Sequence, residues 1–120
     1  MYQRSGGNKL VTGSEEIRET IRDMVEKIVQ GYQPKKIILF GSFAYGQPSE
    51  DSDIDLFIIK NTDQKPIERW TEIKRLLRDL SHSVPVAPLV YTEQELEARR
   101  AIKDFFVEEI LEKGEVLYEG

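Results

Sequence analysis

The sequence contains no cysteine at any of its 120 positions. This absence excludes disulfide bonds, thiolate metal sites and a cysteine nucleophile, so any metal ion must be held by oxygen or nitrogen atoms. The chain also lacks any apolar run close to the roughly 18 residues that a membrane-spanning helix needs, and its first residues are polar rather than signal-like. We therefore expect a cytoplasmic protein with no membrane partner.

An excess of positive charge is missing as well. The formal net charge is -5, from 17 Lys and Arg against 22 Asp and Glu. Polynucleotide binding depends on clustered Lys and Arg that neutralise phosphates, so stable binding of a polynucleotide is not expected. The basic residues alternate with acidic ones in segments such as ERWTEIKRLLRD, a pattern that is typical of solvated helix faces.

The length of 120 residues and an apolar content of 39% predict one small globular domain. Residues 1–13 contain Ser5-Gly6-Gly7 and show no apolar period, so we interpret them as a flexible leader. Residues 14–120 are expected to form the domain.

Helical and extended patterns alternate along that domain. Apolar residues of helical period predict a helix from Ser14 to about Gly31, and the run Ile37–Phe40 predicts a strand buried on both faces. A helical turn over Phe43–Gly46 and a polar loop lead to a second strand, Asp53–Lys60.

The second half continues the alternation. A helix should begin at Pro66, and a third strand over 84–91 should lie at a sheet edge because it contains two prolines. Thr92 and Glu95 form a capping-box pattern that opens another helix; a last helix and a small strand follow at 102–111 and 115–118. The order predicts an α/β (α+β) fold, a small mixed β-sheet packed by helices.

Three large apolar side chains lie at helical positions where rings usually fill the core: Trp70, Phe105 and Phe106. We expect them to be buried. The alternative is that they form a surface for a partner protein.

Two carboxylates, Asp53 and Asp55, alternate with apolar residues in the second strand. Side chains two residues apart in a strand point to one face, about 6 to 7 Å apart along the chain. Two such anions repel each other unless a cation lies between them, and an oxygen-only pair suits Mg²⁺, which shares phosphate oxygens with its ligands. Taken alone, an Asp-x-Asp pattern is more often a surface feature.

Gly41 and Ser42 follow the first strand and open the short helical turn. Glycine allows close approach of the backbone, and N–H groups in the first turn of a helix point at an anion, which the Ser42 hydroxyl can also contact. A lone Gly-Ser is usually just a turn. Followed after ten residues by Asp53-x-Asp55, it predicts a site for a metal-bound triphosphate.

The segment LFGSFAYGQPSEDSDIDLFIIK resembles the signature of the DNA polymerase beta nucleotidyltransferase superfamily in its minimal single-domain form. The resemblance implies a polymerase-beta-like core and transfer of a nucleoside monophosphate, AMP from Mg-ATP, to a hydroxyl. Gly41 and Ser42 would hold the triphosphate, while Asp53 and Asp55 would be the catalytic residues and the ligands of Mg²⁺.

The family usually places a third carboxylate on the third strand, and the position that aligns with it here is Ala87. The resemblance implies that this acid helps to draw off the acceptor proton, a role worth about 10² to 10⁴ in rate. Asp51 is the better candidate for a substitute, since Glu93 lies too far along the chain. Tyr45 stands where many relatives carry a basic residue, and either packs or contacts the nucleotide.

Minimal proteins of this kind are similar to antitoxins that are paired with helical HEPN ribonucleases, which they silence by binding and by adding AMP to a tyrosine. The resemblance therefore implies a HEPN-type toxin as the partner and acceptor. Three alternatives stay open: an antitoxin subunit that acts by occlusion with weak or no catalysis, transfer to a small molecule, and assembly into a homo-oligomer.

Overall fold

The computed structural model describes residues 9–46, 48–49, 51–82 and 84–120, with side chains from residue 15 onward. The helices and strands of these residues, in chain order, are α1 (Lys9–Tyr32), β1 (Lys36–Phe40), α2 (Ser42–Tyr45), β2 (Ile54–Ile59), α3 (Pro66–Leu76), β3 (Val86–Tyr91), α4 (Glu93–Ala101), α5 (Phe105–Lys113) and β4 (Glu115–Glu119). A short 3₁₀ turn, Arg78–Leu80, follows α3.

The strands form one mixed sheet in the order β3-β2-β1-β4. β1 runs antiparallel to both β2 and β4, whereas β2 and β3 are parallel and are connected through α3. β3 lies at an edge, as Pro85 and Pro88 predicted, because proline has no N–H to donate to a further strand. The predicted fold class, a small mixed sheet packed by helices, is confirmed.

The two faces of the sheet bury separate apolar clusters. Ile54, Leu56 and Ile58 of β2 point to one face, where α1 and α3 pack. Phe57 and Ile59 point to the other face, against apolar side chains of α4 and α5. Since side chains alternate along a strand, Asp55 lies on the α4–α5 face.

Several boundaries differ from the predicted ones. α1 begins at Lys9 rather than Ser14, so residues 9–13, interpreted as leader, are helical. Residues 1–8 lie outside the described part of the chain, and the division into leader and domain stays a prediction. Among the described residues, no helix combines the length and apolar character that crossing a membrane requires.

The prediction that Trp70, Phe105 and Phe106 fill the core is wrong. Their exposed fractions are 45%, 88% and 50%. On α3, a polar residue, Arg69, is buried instead, together with Ile73 one turn later. The helix is therefore rotated so that the row of Arg69 and Ile73 faces inward and Trp70 faces outward, which apolar periodicity alone could not reveal.

Arg69 is tolerated in the interior because each of the three guanidinium nitrogens donates a hydrogen bond. Nη1 and Nη2 donate to Oε1 and Oε2 of Glu95 at 2.7 and 3.1 Å, and Nη1 also donates to the carbonyl of Val90 at 3.1 Å. Nε donates to the carbonyl of Gln64 at 2.9 Å. Glu95 in turn accepts from the N–H of Thr92 in the predicted capping box, so one ion pair ties α3, β3 and α4 together.

Replacing Glu95 by Gln should lower the free energy of unfolding by about 1 to 2 kcal/mol at neutral pH, because the buried guanidinium of Arg69 loses its charged partner. Glu97→Gln, an exposed position on the same helix, should change it by less than about 0.5 kcal/mol. Denaturant unfolding of both variants measures the difference.

The same pair should make stability depend on pH. The hydrogen bond from Arg69 is the main cause that lowers the pKa of Glu95. The contribution of this ion pair to stability is therefore complete above the unfolded-state pKa of Glu95, and it is lost as the pH falls through the folded-state pKa of Glu95. The gap in unfolding free energy between wild type and Glu95→Gln should close on acidification, and a gap that stays constant would contradict the assignment.

Candidate functional site

The chain turns sharply between β1 and α2, at Gly41. Its backbone has φ 76° and ψ -161°, a combination that residues with a side chain rarely adopt. A Cβ atom at this position would overlap Oδ2 of Asp55 and would lie 3.0 Å from Cγ of the same side chain. Glycine is therefore required here both by the backbone conformation and by the closeness of a carboxylate.

The pairing of β1 with β2 brings that carboxylate to the turn. Phe40, the last residue of β1, is the partner of Asp55 in the antiparallel register, so Gly41 follows directly beside it. The two sequence segments separated by ten residues thus meet at one end of the sheet, as predicted.

Asp53 and Asp55 differ in their surroundings. Asp53 is exposed and lies one residue before β2, whereas Asp55 is half-buried within the strand. Burial raises the pKa of Asp55, and the negative charge of Asp53 raises it further. Each effect disfavours the second negative charge, so a cation between the carboxylates would relieve the repulsion.

Ser42 is connected to the loop that carries the carboxylates. Its Oγ donates to Oγ of Ser52 at 2.9 Å, and the same Ser52 oxygen accepts from the N–H of Ser49 at 2.8 Å. The N–H of Ser52 donates back to the carbonyl of Ser49 at 3.1 Å. This hydroxyl link holds the turn and the start of the acidic segment together.

The short helix α2 has few backbone N–H groups that can donate hydrogen bonds. The N–H groups of Ala44 and Tyr45 donate to the carbonyl of Gly41, at 3.0 and 2.9 Å. The first N–H groups of a helix, here those of Ser42 and Phe43, have no partner within it, and such groups can donate to an anion.

Ala87, the β3 position at which the family resemblance implies an acid, lies directly beside Asp55. Ala87 is its partner in the parallel register of β2 and β3, so the two side chains point to the same face. Glu93 lies far from this position, since it follows the opposite end of β3, accepts from Asn61 at 2.8 Å and lies 3.7 Å from Lys35. Asp51 is exposed in the loop before Asp53.

Tyr45 and α5 form the border of the site on the side of β1. Tyr45 is 38% exposed; burial raises the pKa of its hydroxyl, and the charges of Glu109 and Asp55 raise it further, against a lowering by the backbone of Gly41. The ring of Phe106 packs edge-on against that of Phe40, with centroids 5.7 Å apart. Aromatic rings therefore lie along the border of the site on the side of β1.

The donor set fits Mg²⁺ in chemical type. Within residues 9–46, 48–49, 51–82 and 84–120, no group of three or more His, Cys, Asp and Glu is gathered as in a fully protein-ligated metal site. Mg²⁺ usually takes one or two carboxylates and completes its coordination with water and substrate phosphates. Asp53 and Asp55 supply that minimum, beside a turn with donors for phosphate.

A second concave region lies at the other end of the sheet. This cleft, of about 470 Å³, is lined by residues that include Lys35, Lys36, Ile59 and Glu93. Its two lysines are already close to acids, Lys36 lying 3.6 Å from Glu119 and Lys35 beside Glu93. Its carboxylates, Glu93, Glu97 and Glu119, belong to α4 and β4 and lie far from the Gly41 turn, and we do not assign the chemistry to this cleft.

Sequence reasoning missed two contributors to the site. Ser52 and Ser49 are polar residues in a polar loop, and nothing in their spacing indicates a hydroxyl link to Ser42. Phe40 and Phe106 were missed as neighbours because a contact between β1 and α5 depends on how the last helix crosses the sheet.

A family model described as "Polymerase beta, Nucleotidyltransferase" matches residues 23–120. The putative protein adenylyltransferase MJ0604 of Methanocaldococcus jannaschii is 33% identical over 103 residues, which are 83% of this chain and 96% of that protein. The putative protein adenylyltransferase MJ0141 of the same organism is 29% identical over 102 residues, 82% of this chain and 96% of that protein.

Two solved structures are similar in fold. A putative nucleotidyltransferase from Sulfolobus solfataricus has a TM-score of 0.62 at 15% identity, covering 98% of this chain and 93% of that one. A mutant of the toxin-antitoxin pair MntA-HpeT has a TM-score of 0.52 at 20% identity, covering 88% and 73%. At these identities the similarity concerns the fold alone.

Replacing Gly41 by Ala should destabilise the protein by about 1 to 3 kcal/mol from the backbone conformation, plus the cost of displacing Asp55. Gly46→Ala is the matched control, since Gly46 also has a positive φ of 83° but has no atom near an added Cβ. Thermal unfolding should show the larger loss for Gly41→Ala.

A double-mutant cycle isolates the contact. Shortening the carboxylate in Gly41→Ala/Asp55→Ala should recover the steric part of the loss, whereas Asp55→Ala should not rescue Gly46→Ala. Additive effects in the first pair would contradict the proximity of Gly41 and Asp55.

Proposed function

The chain belongs to the polymerase beta nucleotidyltransferase family, and we propose that it transfers a nucleoside monophosphate, AMP from Mg-ATP, to a hydroxyl group of a partner protein. The observation that carries the proposal is the apposition of the Gly41 turn and the Asp55 carboxylate. This arrangement offers phosphate donors and metal ligands at a single point.

In the proposed reaction, the acceptor hydroxyl loses its proton to water, its oxygen forms a bond to the α-phosphorus, the bond from that phosphorus to the bridging oxygen breaks, and pyrophosphate leaves with the electron pair. The N–H groups of Ser42 and Phe43 would orient the triphosphate, and the Ser42 hydroxyl would join them by turning from Ser52 to a phosphate oxygen. Asp53 and Asp55 would hold Mg²⁺, which when bound neutralises phosphate charge in the transition state. The protein contributes mainly positioning and electrostatics.

A protein acceptor is supported by the names of the relatives, which describe protein adenylyltransferases matched over nearly their whole length. The fold similarity to MntA-HpeT, a toxin-antitoxin pair, supports a toxin as that acceptor. We extend the proposal to a helical toxin of the HEPN type. In this role the chain would act as the antitoxin.

A second function is favoured by one specific observation, the alanine beside Asp55. Without a carboxylate at Ala87, the described residues offer no acid at that register position to take the acceptor proton. The chain would then be an antitoxin subunit that binds nucleotide, transfers slowly or not at all, and neutralises its partner by occlusion. The two functions differ in whether neutralisation requires the metal ligands.

Transfer can be tested by incubating the protein with α-phosphate-labelled Mg-ATP and soluble extract of its source cells, followed by mass spectrometry of the labelled acceptor. Asp53→Asn and Asp55→Asn should each reduce the rate by about 10² or more, because several kcal/mol of charge stabilisation is lost. Asp79→Asn, an exposed acid on the 3₁₀ turn, is the control and should leave the rate unchanged. Equal rates in all three variants would refute the assigned site.

Restoring the missing acid provides the complementary test. Ala87→Asp should raise the transfer rate by about 10² to 10⁴ if proton removal limits the wild type, because the new carboxylate lies beside Asp55. Ala87→Asn, which has the same shape without the charge, should give no gain. If Ala87→Asp changes nothing while Asp53→Asn leaves partner neutralisation intact, the occlusion function replaces transfer.

A further inference from the structure

Three large apolar side chains are exposed together where α4 leads into α5. We name Ile102, Phe105 and Phe106 the apolar corner; their exposed fractions are 67%, 88% and 50%. Single exposed apolar residues are common, but three within five residues, two of them aromatic, favour an interaction surface.

The corner is held by defined backbone interactions. The N–H groups of Lys103 and Asp104 donate back to the carbonyls of Arg100 and Arg99, at 3.0 and 3.1 Å, which closes the end of α4. The Asp104 side chain then accepts from the N–H groups of Phe106 and Val107, at 3.0 and 3.2 Å, and fixes the start of α5. The two phenylalanines are therefore presented by a preorganised turn.

The corner continues directly into the site. Phe106 packs on Phe40, whose partner in the strand register is Asp55. Glu109 lies one turn after Phe106 on α5. Its negative charge, together with that of Asp55, raises the pKa of the Tyr45 hydroxyl. A molecule that covers Phe105 and Phe106 would thus have neighbouring atoms next to the paired carboxylates.

We propose that the apolar corner is the docking surface for the protein that carries the acceptor hydroxyl, an inference that rests on the proposed transfer function. In this proposal, Phe105 and Phe106 bind the acceptor protein and thereby select it. Neither residue takes part in the chemistry.

The chemistry of the corner favours a protein over other acceptors. Small-molecule sites are concave, whereas an 88% exposed ring projects outward. Arg100 and Lys103 precede the rings, but Glu108, Glu109 and Glu112 follow them on α5, and a net charge of -5 disfavours binding of a nucleic acid. The occupant should therefore be a protein with an apolar centre over the two rings and basic residues against α5.

A second exposed apolar pair provides a matched control. Ile67 and Trp70 on α3 are 64% and 45% exposed, similar to the corner in size and exposure. They belong to a helix that packs on the opposite face of the sheet, away from Asp55. Substitutions of Ile67 or Trp70 should therefore leave the KM for the acceptor unchanged.

The test uses steady-state transfer from Mg-ATP to the acceptor identified by labelling, with the intact protein and the variants Phe105→Ser, Phe106→Ser, Ile67→Ser and Trp70→Ser. The corner variants should raise KM for the acceptor by about tenfold or more, as expected for buried aromatic anchors. In Phe105→Ser, whose ring does not border the site, kcat and the affinity for Mg-ATP should be unchanged. Phe105→Ser is the cleanest variant, since this ring is almost entirely exposed and its loss should not alter thermal unfolding.

Each other outcome has a definite meaning. An unchanged acceptor KM in both corner variants, or an equal rise in the α3 variants, overturns the inference while transfer itself stands. If the wild type binds Mg-ATP but labels no protein, the proposed function is wrong, and the inference that rests on it is wrong as well. If sedimentation shows that Phe105→Ser dissociates a wild-type dimer while KM stays unchanged, the corner binds a second copy and the inference is wrong.

Discussion

The site depends on one constraint, the contact between the backbone of Gly41 and the side chain of Asp55. The pairing of Phe40 with Asp55 places a carboxylate where the chain must turn, and only a residue without Cβ can turn there. The same constraint brings the first N–H groups of α2 beside the paired carboxylates. In the proposed site, the antiparallel pairing of two strands would therefore supply both the phosphate donors and the metal ligands.

The rest of the fold supports this end of the sheet. The clusters on both faces bury β1 and β2, which fixes the register on which the contact depends. The Arg69–Glu95 pair holds α3 and α4 to β3 and thereby maintains the parallel pairing that places Ala87 beside Asp55. The alanine at position 87 is thus held in a defined place beside Asp55.

Local patterns were sufficient to predict most of the fold. The period of the apolar residues and the types of the turn residues predicted β1, the edge position of β3 and the capping box at Thr92. Each of these features depends on residues that are neighbours in sequence. The burial of Arg69 and the exposure of Trp70 could not be predicted, since the rotation of α3 depends on partners such as Glu95, 26 residues away. The candidate residues Gly41, Ser42, Asp53 and Asp55 were found through spacing; the link through Ser52 and the border formed by Phe106 required the tertiary structure.

The central claim is that Gly41, Ser42, Asp53 and Asp55 together bind a metal-bound nucleoside triphosphate. The most direct measurement is a crystal structure with Mg²⁺ and a non-hydrolysable ATP analogue. The account predicts phosphate oxygens at the N–H groups of Ser42 and Phe43, and a metal ion that contacts both carboxylates. An analogue bound instead in the cleft beside Lys35 and Lys36, with no ion at the two aspartates, would contradict it.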